Sequence, residues 1–207
     1  MAAPDRDGRP RRQGLPRGPL TPGGIPPDPP RGRGLRGWRG WSEGRLALAL
    51  SAAFAGGLLL VASRHEVGGY DTEADFYGRY LPESRALLEG KPRFLPFNGP
   101  GYPLVLGALA TFVGDPFAAA KLVSISSLTV AGLLAFLLGR RAIHPEMGLW
   151  YQALILLGAA RFGILASAEA FFLALVLGVS YLLLRGGTAR IVPALLAGLL
   201  AGWATLV

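Results

Sequence analysis

The sequence predicts an all-α, polytopic membrane protein of about five transmembrane helices, with juxtamembrane helices in a long first outer loop. Three observations carry this expectation. Of the 207 residues, 51% are hydrophobic and 16% are charged, whereas an average soluble domain carries roughly a quarter charged residues. The apolar residues fall in long blocks of near-membrane length. The arginines punctuate those blocks in a pattern that obeys the positive-inside rule. The chain has no cysteine, which excludes disulfides, thiolate catalysis and Cys-based zinc sites. Two histidines, His65 and His144, are too few for a His-rich metal site.

Residues 1–45 hold nine of the 17 prolines and ten arginines against four acidic residues. Such a segment reads as a disordered cytoplasmic tail, since it lacks the apolar surface needed to fold. Most of the net charge of +8 lies here, and positive-inside topology accounts for it better than nucleic-acid binding does. Trp38 and Trp41 suit a membrane interface beside Arg36, Arg39 and Arg45. Attraction to anionic lipid and a solvated topogenic tail are the two readings of that boundary. No convincing signal peptide is present.

The membrane domain is read as residues 46–207. Leu46–Ser63 is the first span, with basic residues before it, so the loop 64–116 faces outward. Thr72 and Asp75 have capping-box-like spacing. Phe76, Tyr77, Tyr80, Leu81, Ala86, Leu87 and Leu88 form an apolar stripe broken by Pro82 and ended by Gly90. This pattern predicts two short amphipathic helices on the membrane surface. Tyr102–Gly114 is apolar but too short to span, and is read as dipping into the outer interface. Phe117–Gly139, Met147–Ser167, Glu169–Leu184 and Ile191–Val207 are the remaining spans. With Tyr102–Gly114 not crossing, Arg140, Arg141, Arg185 and Arg190 all lie inside with the N-terminal tail. The closing run G-W-A-T-L-V stops within an apolar stretch, so the chain is read as the N-terminal part of something longer.

No P-loop, G-x-S-x-G or H-E-x-x-H is present. The strongest chemical signal is the acidic cluster Asp71, Glu73 and Asp75. On a helix Asp71 and Asp75 share a face and Glu73 points elsewhere. Like charges at that spacing suit a general base; acidic residues in a first turn equally complement a helix dipole. Glu169 at the outer end of a span is either a second functional carboxylate or a boundary and cap. Arg161, about two turns earlier, either snorkels outward or pairs with Glu169 or a lipid phosphate. The three clustered carboxylates, with water, would also suit Mg²⁺ or Mn²⁺.

The chain from about Leu46 to Val207 resembles the N-terminal part of GT-C-type membrane glycosyltransferases. The likeness is to the dolichyl-phosphate-mannose-protein mannosyltransferase-like group (glycosyltransferase family 39). It rests on Y-D-T-E-A-D-F-Y and A-L-L-E-G in the first outer loop, then F-N-G-P-G-Y-P-L-V-L-G-A-L and F-V-G-D-P-F-A-A-A-K-L-V-S. L-L-G-R-R and A-S-A-E-A-F-F-L-A-L complete it. The resemblance implies transfer of a sugar from a polyprenyl-phosphate donor to an acceptor glycan, lipid or protein on the outer face. It implies an inner (plasma) membrane location with the N-terminus cytoplasmic, and no nucleic-acid partner. It places the family's first-loop acidic residue, a catalytic base or acceptor-positioning group, on Asp71, with Glu73 beside it, and its second acidic site on Glu169. Where some relatives carry a phosphate-binding lysine, this chain has Asn98-Gly99; Lys91, Arg93 and Arg161 are the substitutes. No cofactor or metal is expected from this group, and Mg²⁺ or Mn²⁺ is the alternative. The competing class is a non-enzymatic transporter or scaffold. Against transport, the interiors of the second and fourth spans are read as uncharged.

Overall fold

The computed structural model describes residues 33–65, 73–91, 99–186 and 191–204, and among them every element is helical. The chain divides into two units, residues 1–38 and 39–207. In the first, only the opening of helix α1 (Arg33–Ala62) is described. That helix begins inside the segment read as a disordered tail. The last proline of the tail is Pro30, and beyond it no ring interrupts helical bonding.

In the second unit α1 leads into α2 (Leu81–Leu88), α3 (Gly101–Val113) and α4 (Pro116–Ala142). The chain continues as α5 (Gly148–Gly158), α6 (Ala160–Ile164), α7 (Glu169–Gly186) and α8 (Ile191–Ala204). The stripe of the first loop divides at Pro82 into two short helical segments, as expected. Pro82 occupies the first turn of α2, where its missing N–H costs nothing. A wide turn over Phe76–Tyr80 runs directly into α2, closed by the Leu81 N–H donating to Phe76 O. Gly90 (φ 70°) and Gly114 (φ 81°) adopt left-handed conformations after α2 and α3, as glycine readily does at a helix end.

Among the described residues two segments are long and apolar enough to cross a membrane: Ser42–Ala62 in α1 and Pro116–Ala142, which is α4. The expected third span is not one helix. It divides at Ala159 into α5 and α6, and the backbone turns extended at Leu165. Gly158 precedes the break and costs a helix about 1 kcal/mol relative to alanine. The break accompanies a close approach: a Cβ on Gly163 of α6 would meet Leu58 of α1 at 2.6 Å and Leu128 of α4 at 3.0 Å.

Small residues sit among the buried positions of the helices, beside larger ones such as Leu106, Leu128 and Leu156, and several large apolar side chains face outward. The buried positions of α4 include Ala119, Ala120, Ser124, Ser127, Ala131, Gly132, Ala135 and Gly139. Phe112 is 87% exposed and Leu157 is 73% exposed, and Trp150, Leu154 and Leu199 are also exposed. Small residues at helix contacts let the backbones approach closely. Buried polar groups add cross-helix bonds. The side chain of Gln152 on α5 donates from Nε2 to Ala47 O at 2.8 Å and to Ser51 Oγ at 2.7 Å, both on α1.

The two ends of the bundle differ chemically. At one end Arg140 lies 3.8 Å from Glu43, and Arg141 Nε donates to Leu184 O at 3.0 Å, next to Arg185. The opposite end gathers the close of α1, α3, the start of α4 and the turn before α7. At the arginine end, Gly148 opens α5 hard against α4. A Cβ there would lie 2.9 Å from Phe136 O and would also collide with Arg140 Cγ. Because a backbone oxygen cannot move aside as a rotamer can, Gly148→Val should destabilise the fold by about 1–3 kcal/mol. The thermal midpoint in detergent reads this out, and an unchanged midpoint contradicts the close packing of α4 on α5.

Candidate functional site

The site is built at the end of the bundle away from the arginines. α1 ends at Ala62, and two turn bonds carry the chain to His65. Residues 66–72 lie outside the described residues, and the chain resumes at Glu73. The side chain of Glu73 is 1% exposed. Its Oε1 lies 3.0 Å from His65 Nε2 and accepts from the Ala166 N–H at 3.3 Å. Glu73 Oε2 is buried and has no hydrogen-bond partner among the described residues. One carboxylate therefore joins the end of α1, the outer loop and the turn between α6 and α7.

α4 pins the same turn from beneath. Ser124 Oγ donates to Leu165 O at 2.8 Å and lies 3.3 Å from Ser167 O. One turn earlier on α4, Lys121 Nζ donates to Ala62 O at 2.7 Å and to His65 O. Its ammonium also lies 4.2 Å from the centre of the Phe117 ring. Lys121 thus caps α1, matching a cation to carbonyls at the negative end of a helix. It also corrects the reading of the second span as uncharged inside, because it sits one turn within α4. A lysine in an apolar span needs a partner, and here backbone carbonyls supply it.

Aromatic side chains fill the floor. Phe76 meets Tyr77 at 4.9 Å and Phe117 at 5.6 Å between ring centres, and Tyr80 meets Tyr102 edge-on at 4.7 Å. Burial, then the charges of Asp75 and Glu169, pushes the Tyr80 phenol up. Burial, then Tyr80 and Glu169, pushes Tyr102 up as well. Both phenols therefore stay neutral beyond the ordinary tyrosine range.

The predicted residues are distributed as follows. Asp71 and Arg93 lie outside the described residues. Glu73 is buried, whereas Asp75 is exposed and lies 3.5 Å from Arg79. Glu73 and Asp75 therefore diverge, as the helical spacing implied. Among the described residues no group of three His, Asp or Glu converges as metal ligands. Glu169 is the exposed first residue of α7, three positions beyond the Ala166 N–H that Glu73 accepts. Arg161 is exposed, with its guanidinium 4.9 Å from the Phe162 ring centre. Among the described residues it forms no ion pair with Glu169, which leaves outward snorkelling and pairing with a lipid phosphate as the two readings. Lys91 is exposed after α2, and its backbone N–H donates to Ala86 O at 2.9 Å.

His65 and Lys121 were missed as members of this cluster. Lys121 had a usable signal, being a lone cation near the start of an apolar span. His65 had none, because its link to Glu73 is made in three dimensions.

Comparison with known proteins adds no further identification: no family model, no curated protein and no solved structure matches the chain.

Proposed function

We propose that the chain is a membrane glycosyltransferase that moves a sugar from a polyprenyl-phosphate donor to an acceptor on the outer face of the inner membrane. The observation that carries the reading is the Glu73–Ala166 bond. It seats the acidic first loop against the turn that opens α7, where Glu169 stands. The sequence resemblance calls for that juxtaposition between two segments 93 residues apart.

The two chemically distinct ends support the proposed topology. α1, α4, the α5–α6 pair, α7 and α8 are five successive segments, and Glu43, Arg140, Arg141 and Arg185 gather at one end. Taking that end as cytoplasmic obeys the positive-inside rule. It puts Glu73, Glu169 and α3 together outside, with α3 lying beside the outer half of α4 as part of the site's floor.

In the reaction the acceptor oxygen attacks the anomeric carbon of the donor sugar. The bond from that carbon to the phosphate oxygen breaks, and the lipid phosphate leaves with the electron pair. Asp71 takes the acceptor proton. Burial keeps Glu73 from the acceptor, so its role is to position the loop. The leaving phosphate needs a cation, for which Lys91, Arg93 and Arg161 are the candidates.

Reporter fusions and a transfer assay test the reading together. Fusions at Gly90 and Ala168 should report outside and a fusion at His144 should report inside. Membranes holding the full chain should move labelled sugar from polyprenyl phosphate into an acceptor fraction. An outside report at His144 overturns the topology. Correct topology with no transfer from any polyprenyl-phosphate sugar returns the chain to the non-enzymatic class.

A further inference from the structure

A second polar cluster lies on the side of the bundle where α1 ends beside α4. It lines an open groove of about 330 Å³. Leu59, Leu122 and Ile125 form the apolar part, and Ser63, Asp115 and Lys121 form the polar part. The two charges are held separately. Asp115 caps α4, its carboxylate accepting from the Phe117 N–H at 3.0 Å and the Ala118 N–H at 3.2 Å. Lys121 is held by the carbonyls of Ala62 and His65. Among the described residues the two form no ion pair with one another. Among the described residues two of the three ammonium protons of Lys121 are engaged by those carbonyls, and the ammonium otherwise meets only the Phe117 ring at 4.2 Å.

We propose that this groove binds a phospholipid whose headgroup carries both a phosphate and a primary ammonium, as phosphatidylethanolamine does. Depth supports this occupant, because Ser63, Asp115 and Lys121 lie where the two longest apolar helices end. That is the headgroup level of a bilayer, while Leu59, Leu122 and Ile125 lie further along the helices, at acyl-chain depth. Charge supports it too. Lys121 can give its remaining proton to a phosphate oxygen, and Asp115 can accept from an ammonium. A phosphatidylglycerol head would satisfy Lys121 but would leave Asp115 facing an anion. The inference rests on the membrane placement proposed above and is independent of sugar transfer.

Native mass spectrometry of the detergent-purified full chain, titrated with dioleoyl-phosphatidylethanolamine or dioleoyl-phosphatidylglycerol, tests it. The wild type should retain the ethanolamine lipid about tenfold better. Asp115→Asn keeps a capping side chain and should bring the two lipids to parity. Lys121→Gln keeps donors for the carbonyls and should weaken both lipids about tenfold. Equal binding of the two lipids by the wild type overturns the proposal, as does a preference that survives Asp115→Asn. Extraction of the chain from cell membranes by alkaline carbonate is the separate result that would overturn the membrane placement itself.

Discussion

Glu73→Ala should destabilise the fold by about 2–4 kcal/mol, and Glu73→Gln by less than half of that. The carboxylate is buried, accepts from the Ala166 N–H 93 positions away and lies 3.0 Å from His65 Nε2. Truncation leaves the N–H of buried Ala166 without its acceptor, which costs about 1–3 kcal/mol. It also opens a cavity among Phe76, Phe117 and Ala168, which cluster with Ala166. Glutamine keeps the volume and one oxygen acceptor and gives up only the charge. The His65 partner is a quarter exposed, so its share is screened by water and is the smaller one. Thermal midpoints in detergent separate the variants, and limited proteolysis of the outer loop localises the effect. Unchanged stability in Glu73→Ala would remove the pinning role; equal losses in both variants would show that charge, not bridging, holds the loop.

The helices were legible because their signals are local. Apolar block length and flanking arginines place α1, α4, α7 and α8 to within a few residues, apart from the early start of α1. The same signals miss the division at Ala159. Its counterpart is the approach of Gly163 to Leu58 and Leu128, which lie 105 and 35 positions earlier in the chain. Pro82 was legible as the division between two short helical segments, since a proline is excluded from a helix interior but opens a first turn; the π-type turn before it was not legible. At the site, Glu73 could be identified as a carboxylate of interest but its orientation could not. Whether a side chain at that position faces water or the α6–α7 turn depends on Ala166, a plain residue with no motif value. Lys121 was visible as a lone cation in an apolar span, but its acceptors were not, because they are backbone carbonyls that no residue pattern encodes.

Asp71→Asn should lower sugar transfer by about 10²–10⁴-fold while leaving membrane insertion and thermal midpoint as in the wild type. Asparagine matches aspartate in shape, so the change removes proton acceptance and little else. The contrast with Glu73 gives the test its force. Loss of transfer at Glu73 should track loss of stability, because that carboxylate is buried and bridging. Loss at Asp71 should come with an intact fold and should fall on kcat more than on KM, since a base acts in the transition state. Transfer by Asp71→Asn within about twofold of the wild type would sink the assignment of the base. A loss of transfer accompanied by a lowered midpoint would instead make Asp71 a cap of the following helix, the role that acidic residues in a first turn otherwise serve.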